Sequence, residues 1–174
     1  MKKVVIVLVT LLSTPSLARS AEQCGLRLQL AVGAPISAVQ VDMIIRSSAF
    51  TDLDGRRRVL TLIAVESSFN PDALSSRGAI GLTQTLPIAR TEVDRVWPGQ
   101  RPALPSEADV WYGSSYLRWC RDKFGSWTLA YMCYNAGPTA TSQYLGVGNI
   151  SRETLRYIVR MWKLYEENCL DVEN

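Results

Sequence analysis

Glu66 is the residue whose setting points most directly to chemistry. It stands in the run LTLIAVESSF, residues 60–69, on the same face of a predicted helix as Val59, Leu62 and Ile63. A carboxyl on an apolar stripe is desolvated, which disfavours its charged form and raises its pKa. A glutamic acid still protonated near neutral pH can act as a general acid, and its conjugate base can act next as a general base. The bland alternative is a helix-end glutamate turned to solvent beside the polar Ser67 and Ser68. Few groups compete with it. The chain has no histidine, which excludes Ser-His-Asp and Cys-His catalysis and the common His-containing zinc sites. No metal and no cofactor are expected. Asp72 follows Pro71 in a turn, where Asp serves local hydrogen bonding, so no second catalytic carboxylate is expected there. Without a histidine to activate it, Cys133 is expected in packing or a disulfide rather than thiol catalysis.

The elements that must position Glu66 read as short helices. Pro35 opens a segment over Ile36–Phe50 with Val41, Ile44 and Ile45 at helical spacing. Asp54 is the expected cap of the helix carrying Glu66. Phe69-Asn70-Pro71 ends that helix, because proline pushes the residue before it out of the helical region. Gly78 and Gly81 mark a turn or small hairpin. Trp97–Pro105 holds three prolines and reads as a loop. Ser106 to Asp109 has capping-box spacing, opening a helix that stops at Gly125. Ser126 caps a further helix through Tyr134, ending near Gly137. Ser151 opens the last one, with Leu155, Ile158, Val159, Trp162 and Tyr165 as its apolar stripe. The sum is a mainly α, single-domain helical bundle with almost no strand.

With 174 residues, 47% of them apolar, the chain supports one core rather than two. Lys2 and Lys3 precede an apolar run, Val4–Leu12, and then Pro15 and Ser16-Leu17-Ala18. That order is the pattern of a secretory signal peptide, assigned to residues 1–21, with Ala18, Ser20 or Ala21 as its end. The apolar run is short of the roughly 20 residues that span a bilayer, so no stable membrane insertion is expected. Residues 22–174 then form one domain, outside the cytoplasm. The chain carries 19 basic and 16 acidic residues, and losing Lys2, Lys3 and Arg19 leaves 16 of each. Only Arg56-Arg57-Arg58 clusters, read as a solvated first helical turn, so no nucleic-acid partner is expected. Four cysteines in an exported chain suggest disulfides, with three pairings open. A helix hairpin around Phe124-Gly125 would bring Cys120 to Cys133, leaving Cys24 for Cys169.

The stretch ESSFNPDALSSRGAIGLTQTLP, residues 66–87, resembles the first motif of the soluble lytic transglycosylase family. Glu66, Ser67, Phe69, Pro71, Ala73, Ser75, Gly78, Ala79, Gly81, Leu82 and Gln84 meet its pattern. The second motif is met by Tyr134, Asn135, Ala136 and Gly137, and GSSYLRWCRDKFGSWTLAYMCYNAG follows the framework that leads into it. Tyr157 on the last helix is a third, weaker element. Together the likeness spans about residues 40–165.

The resemblance implies a lysozyme-like helical fold, with a substrate cleft, acting on peptidoglycan glycan strands. It implies a cut between N-acetylmuramic acid and N-acetylglucosamine that ends in a 1,6-anhydro ring, with Glu66 catalytic. By the same resemblance Tyr134 hydrogen-bonds the catalytic carboxyl, Ser75 and Gln84 line the site, and Asn135 contacts glycan or holds its loop. Ser67 is expected to bond locally to its helix. Three departures stand out: Thr83 where relatives often carry Met, which implies a more polar pocket wall; Asp109 where many carry Asn; and Cys133 in place of Ala. The alternatives are a water-using lysozyme-type muramidase on the same fold and a catalytically silent peptidoglycan-binding assembly protein. Small exported members of the family often serve envelope-spanning secretion or conjugation machines, a further expectation from the resemblance.

Overall fold

Leu53–Glu66 is apolar enough to need neighbours on every side, and the architecture is built around it. The computed structural model describes residues 16–170. Seven helices are found among them: α1 (Ser16–Val32), α2 (Ala38–Ser47), α3 (Leu53–Glu66), α4 (Pro87–Val96), α5 (Pro105–Phe124), α6 (Trp127–Val147) and α7 (Arg152–Cys169). In α3, Gly55 and every residue from Arg57 to Val65 are buried. A helix buried all round must be enclosed by others, and α1, α2 and α7 pack against it. On the far side α5 packs on α2, α4 and α6, and α6 on α7. The expected mainly α bundle is what forms. Strand content among the described residues is a single antiparallel bridge, Leu74 to Ile80, in the hairpin that Gly78 and Gly81 foreshadow.

The helix boundaries follow local rules, with instructive exceptions. Ser37 and Gln40 form a reciprocal capping box on α2. Asp52, not Asp54, caps α3, its carboxylate accepting from the Gly55 amide at 2.8 Å. Ser106 caps nothing, because α5 already starts at Pro105, after Leu104. Asp109 is therefore freed from any capping role and turns inward. α6 runs past its expected end. Gly137 breaks it at φ 86° and ψ 163°, a region essentially reserved for glycine, and a second stretch starts from Pro138. On α7 the buried stripe is Thr154, Ile158, Met161, Tyr165 and Cys169, while Leu155 and Val159 are 50% and 57% exposed. The expected stripe is rotated, since the packing partners, not the apolar count, choose the buried face.

The arginine triplet is not a solvated turn. Arg57 and Arg58 are both buried. The Arg58 guanidinium bonds Asp54 at 2.8 Å and the Tyr131 hydroxyl at 2.6 Å. It also lies 4.0 Å from the ring centroid of Tyr165, 4.4 Å from that of Trp127 and 4.9 Å from that of Trp162. Burial works against the charge on Asp54, but its bonds to Arg58 and Tyr165 prevail and hold its pKa below the ordinary value. A buried cation is tolerable where a carboxylate and π faces replace water.

Both expected disulfides form. Cys120–Cys133 pins α5 to α6, with Cα atoms 5.8 Å apart, and Cys24–Cys169 ties α1 to α7 at 4.5 Å across 145 residues. The apolar run Val4–Leu12 lies outside the described residues. The candidate signal ends at Ala18, Ser20 and Ala21 fall within α1, where Ala21 is buried in the core and the Ser20 hydroxyl accepts from Arg57.

Candidate active site

Glu66 is the last residue of α3 and enters a cleft of about 1040 Å³. Two ordinary effects place it there. The apolar body of α3 stays in the core while its C-terminal end emerges at the surface. The chain then turns sharply, with Ser68 and Phe69 at positive φ, 49° and 61°. Side-chain-bearing residues seldom adopt that region, and where they do, surrounding structure must hold them. Phe69 is held by burial in the core. Ser67 bonds back to the Ile63 carbonyl at 3.2 Å, the local role expected of it.

The carboxyl of Glu66 accepts a hydrogen bond from the Tyr157 hydroxyl at 2.6 Å. Burial raises its pKa to about 7, against the smaller opposing effects of the Tyr157 bond and the charge of Arg160. Desolvation therefore prevails, as the apolar stripe of α3 foretells, and the solvent-facing alternative is set aside. The Tyr157 hydroxyl is itself driven well above its ordinary pKa by burial and by the neighbouring carboxylate, so it stays a donor.

Tyr134 does not make the bond expected of it. Its hydroxyl donates to the Thr83 carbonyl at 2.8 Å and lies 3.0 Å from the Thr85 hydroxyl. With one proton, committed to Thr83, it has none to give Glu66. The carboxyl's partner comes from α7 instead, where only tertiary packing brings Tyr157 across 91 residues to α3. Tyr134 still lines the cleft, as do Ser75, Gln84 and Asn135. Ser75 closes the small hairpin, its hydroxyl accepting from the Ala79 amide at 3.0 Å and its own amide donating to the Ala79 carbonyl at 2.9 Å. Gln84, at φ 48°, donates to the carbonyls of Ala73 and Gly81, each at 2.9 Å. Its amide nitrogen pins the wall, which leaves its carbonyl oxygen for a ligand. Asn135, Ala136 and Gly137 reach the cleft because the α6 break lies beneath them.

Thr83 is not a wall residue. It is fully buried, with its amide on the Asp109 carboxylate at 3.2 Å and its hydroxyl within 3.1 Å of that carboxylate and 2.9 Å of Thr85. Arg90 closes this network, bonding Asp109 at 2.7 Å and the carbonyls of Ile80 and Thr85 at 3.2 Å each. A side chain on Gly81 would strike Asp109, and one on Gly113 would strike Thr83. The wall carrying Gln84 and Thr85 is thus locked to α5 from behind. In the sequence Asp109 stands out as the end of a capping box and as a departure from a family pattern, and the structure gives it neither role. The inward turn of Asp109 had no local signal. Asp72 stays exposed in its turn, its amide bonded to Asn70, and does not line the cleft. The other carboxylates that do are Glu92, bound to Arg95, and Glu153. Among the described residues no cluster of His, Cys, Asp and Glu suits a metal.

Residues 52–155 match the family described as the transglycosylase SLT domain. The chain belongs to that family. The SLT match begins at the cap of α3 and ends in the first turn of α7, so it holds Glu66 and the whole cleft wall. The soluble lytic murein transglycosylase of Salmonella typhimurium is 35% identical over 89 residues, 47% of this chain and 14% of that protein. Its Escherichia coli K12 counterpart is 34% identical over the same coverage. The chain thus spans about a seventh of the length of these relatives. In three dimensions it resembles the 70 kDa soluble lytic transglycosylase of Escherichia coli, with TM-score 0.62, 23% identity, and coverage of 85% of this chain and 28% of that one. An inactive mutant of the lytic transglycosylase Slt from Pseudomonas aeruginosa gives TM-score 0.59 at 22% identity, over 75% and 25% of the two chains. The SLT match itself spans α3 to α6 and the first turn of α7.

Proposed function

We propose that this SLT-family protein is a peptidoglycan lytic transglycosylase that cleaves the β-1,4 bond between N-acetylmuramic acid and N-acetylglucosamine. The observation carrying this reading is Glu66 at a cleft, desolvated to a pKa of about 7 and held by Tyr157. Protonated Glu66 donates to the glycosidic oxygen as the bond to the leaving sugar breaks. The carboxylate so formed then takes the proton of the muramic C6 hydroxyl as that oxygen closes on C1, giving a 1,6-anhydro end without water. One carboxyl acting twice needs no catalytic part from the other carboxylates that line the cleft, Glu92 and Glu153. The muramic 2-acetamido group takes the stabilising role of a second carboxylate, as in substrate-assisted glycosidases, with the Gln84 carbonyl oxygen, Ser75 and Asn135 as the groups that hold the sugar.

The same reading puts the mature protein in the periplasm or outside the cell after loss of a signal peptide within residues 1–21. A cut after Ala18 suits it best, since it leaves Ser20 with Arg57 and Ala21 in the core. Its task is local opening of the wall, for an envelope-spanning secretion or conjugation machine. No helix among the described residues is long and apolar enough to cross a membrane.

The test is mass spectrometry of purified peptidoglycan digested by the wild type and by Glu66→Gln. Anhydromuropeptides from the wild type, lowered about 10²–10⁴-fold or more in the variant, are expected. Reducing muramic ends carrying one more water would replace this reading with a hydrolytic muramidase. No product from either protein would favour a silent binding role.

A further inference from the structure

Three hydroxyls stand in line behind the cleft wall, and a carboxylate that takes no part in the chemistry closes the inner end. Tyr134 donates to the Thr83 carbonyl at 2.8 Å and lies 3.0 Å from the Thr85 hydroxyl. The hydroxyls of Thr85 and Thr83 are 2.9 Å apart, and Thr83 donates to the Asp109 carboxylate at 3.1 Å. Thr83, Thr85 and Asp109 are all buried, where a polar group must find its partner close by.

Counting protons gives the line a direction. Asp109, paired with Arg90 at 2.7 Å, only accepts. A charged acceptor takes the Thr83 proton in preference to a neutral hydroxyl. The Thr85 proton then lies on Thr83, since otherwise two oxygens meet at 2.9 Å with no proton between them. Thr85 is left as an acceptor, and it shares with the Thr83 carbonyl the single proton of Tyr134. The Tyr116 ring of α5 packs on that of Tyr134, centroids 5.5 Å apart. That contact holds the phenol oxygen in place and leaves only its proton a choice of direction. The competing acceptor is Glu66. Both residues line the cleft, and burial, followed by the charge of Glu66, pushes the Tyr134 pKa well above its ordinary value.

We propose that Asp109 is a positioning residue for Glu66: through Thr83 and Thr85 it turns the Tyr134 proton away from the cleft, so that Tyr157 is the only tyrosine donating to the reacting carboxyl. This rests on Glu66 being the reacting acid. A second hydroxyl bonded to the ionised carboxylate would stabilise it and lower the pH at which Glu66 gives up its proton, whereas a general acid must still hold that proton when substrate binds. The other charged groups around Glu66 are Arg160 and Glu153 of α7, Glu92 of α4, bound to Arg95, and Arg77 of the hairpin. Each is left in place by the test.

The experiment follows the Glu66 carboxyl by carbon NMR in protein labelled on its glutamate side chains, with Glu66→Gln identifying the signal. Thr83→Val keeps the shape and the Asp109 charge but cuts the line, and Asp109→Asn removes the charged acceptor at its end. Each frees the Thr85 proton to turn to Tyr134 and the Tyr134 proton to turn to Glu66. In both variants Glu66 should titrate about one pH unit lower than in the wild type. Tyr134→Phe alone should move the titration much less, and added to Thr83→Val it should restore most of the wild-type value. Thermal melts confirm folding, and either cutting variant serves if the other does not fold. An unchanged titration in a folded cutting variant, a fall that survives Tyr134→Phe, or a rise of similar size caused by Tyr134→Phe alone would overturn the proposal. Digestion of peptidoglycan by the wild type separates the two readings. A Tyr134-dependent fall without released product would keep the role of Asp109 and remove the transglycosylase, whereas anhydro product without that fall would do the reverse.

Discussion

At the scale of single residues, Glu66 combines a functional asset with a stability deficit. Its folded pKa of about 7 stands above the ordinary 4.5. Between those values the folded state binds a proton that the unfolded state has lost, so stability is fully present below the lower value and falls as pH rises toward the upper. The loss is on the order of 3 kcal/mol. Glu66→Gln, which has no charge to bury, should therefore be more stable than the wild type at pH 8 by about that amount, and indistinguishable from it at pH 4. Urea denaturation at both values measures it, and equal stability at pH 8 would remove the desolvation argument. Tyr157 bonds the ionised form and so opposes the shift. Tyr157→Phe should push the Glu66 pKa higher, moving the alkaline limb of the rate profile to higher pH, and should slow the reaction about 10- to 100-fold through lost positioning. A profile that moves to lower pH would overturn this assignment.

At the scale of elements, the cleft wall depends on what stands behind it. Residues 81–85, after the bridge at Ile80, are a loop without regular structure, yet they carry Gln84 and abut Tyr134. Asp109 on α5 and Arg90 on α4 convert that loop into a rigid surface by bonding its amide and carbonyls. Removing one partner of such a pair strands the other. Asp109→Ala should cost about 2–3 kcal/mol, less than a fully buried pair because Arg90 is partly exposed. Asp109→Asn, which keeps one acceptor oxygen in place of two, should cost less than Asp109→Ala. Chemical denaturation of both variants checks the order. In this light the Asp109 departure from the family's Asn is compensated within the chain by Arg90, and Thr83, far from making the pocket polar, hands its polarity to the core.

At the scale of the whole molecule, two disulfides hold different things. Cys120–Cys133 closes a hairpin between adjacent helices with a separation of 13 residues, and Cys24–Cys169 joins the first described helix to the last over 145. Loop-closure entropy grows with the logarithm of length, giving about 3 kcal/mol for the short loop and about 5 kcal/mol for the long one. Replacing Cys24 and Cys169 by serine should lower the urea midpoint more than replacing Cys120 and Cys133. The reverse order would mean that the long bridge mainly joins segments already close in the unfolded chain. The Arg58 box joins α3 to Trp127 of α6 and to Trp162 and Tyr165 of α7, so α7 is fastened at α3, α6 and α1 together. That fastening is what presents Tyr157 to Glu66.

Periodicity, caps and breakers act over a few residues, so the chain alone determined most helices, the desolvation of Glu66 and the hairpin before Gln84. Absent histidine and two ordered motifs determined the kind of chemistry to look for. Long-range choices had no local signature. Which face of α7 is buried, which tyrosine reaches the carboxyl, and whether an arginine triplet meets water or an aromatic box all depend on a partner helix tens of residues away. The continuation of α6 beyond Gly137 belongs here too, since one glycine can end a helix or merely bend it, and the packing around the break decides which.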